Sequence, residues 1–102
     1  MRAEELVRRI ESKDAPLVVD VRTSIEFKHD HVPGAVSAPL GKILVNKARL
    51  PKEPMVVTCH GGERAWIARK VLARRGYREM EPLDGHMRHW KKAGLPMETE
   101  AS

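Results

Sequence analysis

The sequence predicts an α/β fold, a parallel β-sheet with helices on both faces. Short apolar runs alternate with amphipathic helical segments along the chain of 102 residues, a pattern typical of parallel strands joined by right-handed helical crossovers. The run 17–21 is apolar except for Asp20, as expected of a strand buried on both faces. The length suits one domain. We therefore expect residues 1–102 to form a single domain, with its core over about 3–97 and a tail that frays from Glu98.

The first part of the chain predicts a helix, a strand and a capped helical turn. Apolar residues recur at helical spacing over 3–12, with charged residues between them, which indicates an amphipathic helix. The strand over 17–21 follows a proline. Thr23 and Ser24 come next, and their hydroxyls are suited to cap a short helical turn that runs through Phe27.

The middle of the chain continues this alternation. Residues 31–34 contain an adjacent proline and glycine and predict a turn, and 35–38 is long enough only for a brief strand. The proline that follows is a favoured residue at the start of a helix. We expect that helix over 40–48, with Ile43 and Leu44 facing the core.

The last part predicts two more strands and two more helices. A strand over 55–58 leads to a helix over 65–75, which a glycine ends. A weakly alternating strand over 77–83 contains a proline that marks its end or an edge of the sheet. Asp84 is suited to cap a closing helix that extends through Trp90.

Loops that carry reactive or polar residues are expected to meet at one edge of this sheet. Ligands of parallel α/β sheets bind at the carboxyl ends of the strands. Cys59 follows the strand over 55–58, and Asp84 follows the last strand. The segment after Val21 follows the first strand. Three candidate loops therefore converge on the same edge.

The most informative loop begins at Cys59, the only cysteine of the chain. Gly61 and Gly62 allow the backbone after it to turn so that its N–H groups face the sulfur. A helix follows at once, and the positive end of its dipole also favours an anion. Arg64 adds a positive charge at the lip. The spacing predicts an anion-binding cradle with a nucleophilic thiolate at its floor.

Several of these residues also have a purely structural interpretation. A lone cysteine at a strand end is often a small buried apolar residue, and Arg64 could form an ion pair with a nearby carboxylate. His60 is equally consistent with donating to the sulfur or substrate and with pointing into solvent. Glu63 is expected to be solvated. Asp20 is expected to bond loop N–H groups rather than to act as a general base.

Three segments along the chain carry family-like motifs. The first is Asp20-Val21-Arg22 with Glu26-Phe27 and His31-Val32-Pro33-Gly34-Ala35, the second is Cys59-His60-Gly61-Gly62-Glu63-Arg64-Ala65, and the third is Leu83-Asp84-Gly85 with Trp90 and Ala93-Gly94-Leu95-Pro96. Together they resemble the rhodanese-like domain family, in the same order and over about 17–96. The family's three-layer α/β sandwich agrees with the predicted fold.

The resemblance implies transfer of sulfane sulfur through a persulfide on Cys59. A donor such as thiosulfate would bind in the loop, and a thiol, cyanide or a protein would accept the sulfur. The resemblance places the binding loop at His60, Gly61, Gly62, Glu63, Arg64 and Ala65. It also suggests structural roles for Arg22, Glu26 and His31.

The chain departs from the family pattern at three positions. Asp30 stands where glycine is common, and His86 stands where a second glycine is usual. Ala65 replaces a frequent serine, so a possible hydroxyl donor is missing from the loop. These departures leave the nucleophile in place but bear on the choice of substrate.

Two other functions stay open beside sulfur transfer. A cysteine-dependent phosphatase or arsenate reductase also uses a cysteine–arginine loop, but that loop has one residue more than the four between Cys59 and Arg64. The shorter loop favours sulfur over a tetrahedral oxyanion. A non-catalytic sulfur-carrier or docking module is the other alternative.

Composition predicts neither nucleic acid nor membrane as a partner. The net charge is +5, but the basic residues are scattered and the few aromatics do not interleave with them as a base-stacking surface requires. No apolar run approaches the roughly 18 residues of a membrane-spanning helix, and the charged N-terminus lacks a signal-peptide pattern. A single cysteine fits a reducing compartment. We expect a cytoplasmic protein with no metal site and no cofactor.

Overall fold

The computed structural model describes residues 1–100, in which four parallel strands form one sheet in the order β2-β1-β3-β4. The two central strands are in register from Leu17 opposite Met55 to Asp20 opposite Thr58. The strands are β1 (Leu17–Asp20), β2 (Val36–Ser37), β3 (Met55–Thr58) and β4 (Met80–Pro82). The helices are α1 (Ala3–Glu11), α2 (Ser24–His29), α3 (Leu40–Leu44), α4 (Glu63–Arg74) and α5 (His86–Lys92).

Helices cover both faces of the sheet, so the predicted three-layer α/β fold is confirmed. Side chains of successive strand residues point to opposite faces, and the core divides accordingly. Val19 and Val57 pack in one cluster with residues of α3 and α4. Val18 and Val56 pack in a second cluster with residues of α1 and α5. The central strands β1 and β3 are therefore covered by apolar side chains on both faces. This explains why each strand contains only one polar residue, at its last position.

A buried ion pair fixes the chain at the carboxyl end of β1. Asp20 is fully buried and Arg22 is 1% exposed. The guanidinium donates to both oxygens of the Asp20 carboxylate, and the backbone N–H of Arg22 donates to the same group at 3.0 Å. Asp30 accepts from the far side of the guanidinium at 3.2 Å. Asp20 therefore has the loop-bonding role expected of it, since its lone pairs are occupied by this network.

Helix α3 is shorter than predicted and ends at Leu44 rather than at 48. Asn46 has a φ of 57°, which is a left-handed conformation that asparagine tolerates. The N–H of Lys47 donates to the carbonyl of Lys42 at 2.8 Å, and that of Asn46 to Ile43 at 3.1 Å. This pair of bonds is a Schellman motif, which ends a helix. As a result Leu44 is 49% exposed instead of facing the core, whereas Ile43 is buried.

The start of α5 also differs from the prediction, because Asp84 does not cap it. Gly85 is the N-terminal cap and provides no side chain for a hydrogen bond. The first free helical N–H groups find partners elsewhere in the fold: Met87 N–H donates to the carbonyl of Cys59 and Arg88 N–H to that of His60, both at 3.0 Å. The helix is thus capped by the loop that carries the cysteine.

The tail is paired at the point where it was expected to fray. Glu98 and His31 exchange backbone hydrogen bonds of 2.8 and 2.9 Å, and the side chain of Glu98 accepts from the N–H of Gly34. The prediction of fraying from Glu98 is wrong at this residue, because these bonds hold it against the turn before β2. Ala101 and Ser102, the last two residues of that predicted tail, lie outside the described part of the chain.

The remaining differences concern element ends. The last strand is limited to β4, three residues at the end of the predicted 77–83, and α4 begins at Glu63, two residues earlier than expected. No helix of residues 1–100 is long and apolar enough to cross a membrane.

Candidate active site

The carboxyl ends of β1, β3 and β4 meet, as the sequence predicted, and the loops that follow them are in contact. The loop after β3 carries Cys59. Glu26, in the helix after β1, contacts Arg64 of that loop. His86, after β4, contacts the backbone of Cys59. The structure therefore builds the site from three segments that are far apart in the chain.

The sulfur of Cys59 lies in a cradle of backbone amides. The residue is 1% exposed, and its Sγ accepts from the N–H of Gly62 at 3.0 Å and from the N–H of Ala65 at 3.4 Å. Both donors belong to the start of α4, whose N-terminal cap is Gly62. Amide donors and the positive end of a helix favour the anionic form of a thiol, which is its nucleophilic form.

The backbone and surroundings of Gly62 require glycine, whereas a side chain on Gly61 would meet only the flexible ends of other side chains. Gly62 has a φ of 117°, which side chains rarely adopt, and a Cβ there would lie 3.0 Å from the ring of His86. A Cβ on Gly61 would lie 2.8 Å from Nη2 of Arg88 and 2.9 Å from Oε1 of Glu63. The predicted turn is therefore present, and its outer surface is packed against the side chains of α5 and of Glu63.

Arg64 forms the ion pair that was one of its two interpretations. Its Nη1 lies 2.7 Å from Oε1 of Glu26 and its Nη2 lies 3.2 Å from Oε2. These hydrogen bonds, with those from Thr23, lower the pKa of Glu26 to about 2. Glu26 also completes a capping box with Thr23 at the start of α2. One carboxylate thus secures a helix terminus and the arginine of the cysteine loop.

The sequence marked His86 only as a departure from the family pattern, whereas the structure places its ring against the backbone of the loop that carries Cys59. Its Nδ1 lies 3.4 Å from the N–H nitrogen of Cys59, which donates to it, and 3.2 Å from the hydroxyl oxygen of Thr58. Burial and the positive charge of Arg69 lower the pKa of His86, so the ring is neutral and able to accept at Nδ1. Its φ is 51°, a conformation that glycine adopts more easily.

Other predicted residues occupy more ordinary positions. His60 is half-buried, and its carbonyl accepts from Arg88. Glu63 is exposed, as expected, with its carboxylate beside Gly61. Asp84 is exposed and lies 3.7 Å from the N-terminal amine. Within residues 1–100, no group of three or more His, Cys, Asp or Glu side chains is placed to hold a metal ion.

Comparison with known proteins identifies the family. The family model described as "Rhodanese-like domain" matches residues 2–93. The chain belongs to the rhodanese-like domain family. A rhodanese-related protein from Thermoplasma volcanium has the same fold, with a TM-score of 0.83 over 98% of this chain and 97% of that one at 23% identity. The family thereby confirms the resemblance that the three motifs carry.

Curated members of the rhodanese-like family include sulfurtransferases. A sulfurtransferase of Allochromatium vinosum is 30% identical over 93% of this chain and 90% of its own length. The thiosulfate sulfurtransferase GlpE of Pseudomonas savastanoi is 33% identical over 81% of this chain and 78% of its own. The putative sulfur carrier protein YrkF of Bacillus subtilis is 26% identical over 85% of this chain, which spans only 48% of that relative.

Proposed function

We propose that this chain is a sulfurtransferase that moves sulfane sulfur from a small anionic donor such as thiosulfate to a thiophilic acceptor through a persulfide on Cys59. The observation that carries the proposal is the position of Cys59 Sγ, which accepts hydrogen bonds from two backbone amides of one loop. Sulfurtransferase relatives of similar length support the same reaction class.

The reaction is a double displacement. The Cys59 thiolate attacks the outer sulfur of thiosulfate, a new S–S bond forms, and the S–S bond of the donor breaks. Sulfite leaves with the electron pair of that bond, and the outer sulfur of the cysteine persulfide carries the negative charge. A thiol or cyanide then attacks this outer sulfur, and Cys59 leaves as a thiolate again. With cyanide the product is thiocyanate.

The loop amides supply the electrostatic part of this chemistry. In the proposed site, backbone N–H groups from His60 to Ala65 surround the sulfur that is transferred, and preorganised donors of this kind stabilise the anion without rearrangement. The hydroxyl that a serine would add is absent at Ala65, so the transferred sulfur depends on amides and on positive charge. No metal or cofactor has a part in these steps.

The size of the loop supports sulfur over phosphate as the ligand. Four residues separate Cys59 from Arg64, and the amides of Gly62 and Ala65 both reach the single Sγ atom. A tetrahedral oxyanion needs donors spread over several oxygens, whereas one sulfur atom needs donors that converge. We therefore rank phosphatase or arsenate reductase activity below sulfur transfer.

A role as a sulfur carrier is the second candidate. It uses the same Cys59 persulfide but takes its sulfur from another protein rather than from thiosulfate. The similarity to the putative sulfur carrier protein of Bacillus subtilis favours it. The two candidates differ in one measurement, the rate at which thiosulfate alone loads the cysteine. In either role the lone thiol fits a reducing compartment such as the cytoplasm.

Mass spectrometry of the intact protein tests the proposal. Treatment with thiosulfate in the absence of reductant is expected to add the mass of one sulfur atom, and cyanide is expected to remove it and release thiocyanate. Cys59→Ser is expected to abolish both results. Turnover retained by Cys59→Ser would refute the assignment. A protein that thiosulfate does not load, but that a persulfidated protein donor does load, would be a carrier.

A further inference from the structure

The positive charge of Arg64 is paired with a carboxylate rather than left open to a ligand. Its guanidinium makes a two-pronged contact with Glu26, so most of its charge is offset by a carboxylate that stays ionised at neutral pH, since its pKa is about 2. An anionic ligand that approached Arg64 would have to compete with Glu26 for the same N–H groups.

Arg88 of α5 is a second arginine at the same loop. Its backbone N–H donates to the carbonyl of His60 at 3.0 Å, which fixes the start of its side chain beside the cradle. Its Nη2 lies 2.8 Å from the position of a Cβ on Gly61, so the guanidinium rests on the bare backbone of the loop. Arg88 is exposed. None of the ion pairs among residues 1–100 includes it.

Glu63 places a carboxylate beside this arrangement. Its Oε1 lies 2.9 Å from the same Cβ position on Gly61, but it does not reach Arg88 within the 4.0 Å of an ion pair. Glu63 and Arg88 therefore flank Gly61 with opposite charges that are not joined to each other. The two side chains should act on an approaching anion with opposite signs.

We propose that Arg88 binds the anionic group of the ligand that approaches Cys59, which makes it a specificity-determining residue for oxyanion-bearing donors. A guanidinium presents a fork of N–H groups that matches the oxygens of such a group. A Cβ on Gly61 would displace the flexible end of the Arg88 side chain from this position. The identity of the ligand as a sulfur donor rests on the proposed function.

Alkylation of Cys59 with two reagents tests this role without any sulfur transfer. Iodoacetate is an anion and iodoacetamide is neutral, but both react with the same thiolate, so the ratio of their rates cancels changes in thiolate fraction. Arg88→Gln is expected to lower the iodoacetate-to-iodoacetamide ratio about three- to tenfold, the size of effect of two unit charges about 4 Å apart with the screening of bulk water. Arg88→Lys is expected to keep most of the ratio, and Glu63→Gln to raise it.

Two further arginine variants serve as controls in this experiment. Arg78 precedes β4, so it lies at the amino ends of the strands, whereas Cys59 lies at their carboxyl ends. Arg78→Gln therefore removes the same net charge far from the loop. Its ratio is expected to stay at the wild-type value, and Arg64→Gln is expected to change the ratio less than Arg88→Gln does. Equal ratios in Arg88→Gln and Arg78→Gln, with unchanged circular dichroism, would overturn the proposal. A lower alkylation ratio in Arg64→Gln alone would also overturn the proposal.

Thiosulfate kinetics separates this inference from the proposed function. If both hold, Arg88→Gln raises the KM for thiosulfate several-fold and leaves kcat nearly unchanged. If the wild-type protein does not turn over thiosulfate but Arg88→Gln still lowers the alkylation ratio, the donor is wrong and the role of Arg88 stands. If turnover occurs and the ratio does not depend on Arg88, sulfur transfer stands and the role of Arg88 fails.

Discussion

The imidazole of His86 lies against the loop that carries Cys59, where its Nδ1 accepts the backbone N–H of Cys59 at 3.4 Å. The hydroxyl oxygen of Thr58 lies 3.2 Å from the same nitrogen. Because an acceptor is needed at Nδ1, the ring has to carry its proton on Nε2 when it is neutral. A protonated ring would have an N–H on both nitrogens and would lose the bond to Cys59.

The stability of the protein is expected to fall below about pH 6.5, the ordinary pKa of histidine, in part because of His86. Its pKa is lowered by burial and then by Arg69, with a smaller opposing effect of Asp84 and Glu63. The unfolded chain therefore takes up this proton at a higher pH than the folded one, and stability present above about pH 6.5 is lost as the pH falls toward the folded value.

Urea unfolding of the wild-type protein and of His86→Asn at pH 7.5 and 5.5 measures this contribution. Asparagine tolerates the left-handed backbone of this position and does not titrate. The loss of stability between the two pH values is expected to be smaller in the variant. Equal losses in both proteins would show that His86 does not titrate differently on folding.

Gly62→Ala is expected to reduce both the stability of the fold and persulfide formation. Its φ of 117° and the His86 ring at 3.0 Å from a new Cβ both oppose a side chain. Gly94→Ala is the matched control, because Gly94 also has a positive φ but has no atom within 4 Å of its Cβ position. We expect about 1 kcal/mol of destabilisation for Gly94→Ala and about 2–3 kcal/mol for Gly62→Ala.

Thermal unfolding and thiosulfate loading are measured on both glycine variants. The comparison separates the backbone strain of a positive φ, which both share, from contact with the His86 ring, which only Gly62→Ala makes. Loss of loading in Gly62→Ala alone is the expected result. If both variants lose the same stability and load equally well, packing of His86 against Gly62 has no role in the loop.

Glu26→Gln is expected to remove part of the loss of folding stability that occurs at low pH. The pKa of Glu26 is lowered to about 2 by Arg64 and Thr23, so its contribution is present above about pH 4.5, the ordinary value, and is lost as the pH falls toward 2. Glutamine preserves the capping box and removes the charge together with the oxygen that accepts from Nη2 of Arg64. At pH 7 the variant is expected to lose about 0.5–1 kcal/mol, since the pair is partly exposed.

Chemical unfolding between pH 2 and 5 tests the prediction for Glu26. The control is Glu11→Gln, which removes an exposed carboxylate that forms no ion pair within residues 1–100. The slope of stability against pH should become shallower in Glu26→Gln only. The same slope in both variants would mean that the ion pair with Arg64 adds nothing to stability.

Insertion of one glycine between Gly61 and Gly62 is expected to lower sulfur transfer. The insertion keeps Cys59, Arg64 and α4, but the amides of Gly62 and Ala65 would no longer converge on one sulfur atom. Thiosulfate turnover and hydrolysis of an aryl phosphate are the two measurements. Turnover at the wild-type rate in a folded insertion variant would show that loop size does not select sulfur, and the phosphatase alternative would then gain support.

Much of this architecture was predictable from the sequence because it depends on local patterns. The strand over 55–58 was predicted with the bounds that β3 has, since three apolar residues and a threonine lie between a proline and a cysteine. The turn after Cys59 was predictable because adjacent glycines between a strand and a helix have few other uses. A cap at Thr23 or Ser24 was predictable because hydroxyl side chains satisfy free helical amides, and Thr23 is the residue that provides it.

The errors arise where long-range contacts or special backbone conformations decide the structure. Nothing in the sequence links Glu26 to Arg64, because they are 38 residues apart. The sequence pattern around each residue predicts only its own helix or loop and not its distant partner. Asp84 was expected to cap α5, but the loop carbonyls take that role, which local pattern cannot reveal. Asn46 in a left-handed conformation ended α3 early, and asparagine in this position is only one of several helix-stop signals.

The bonds from α5 to the carbonyls of Cys59 and His60 also bear on the order in which the protein assembles. Synthesis begins at the N-terminus, so Cys59 and α4 are made before His86 and α5. During that interval neither the imidazole nor the amides of Met87 and Arg88 support the loop. The loop that carries Cys59 therefore gains these backbone contacts only when the last helix docks.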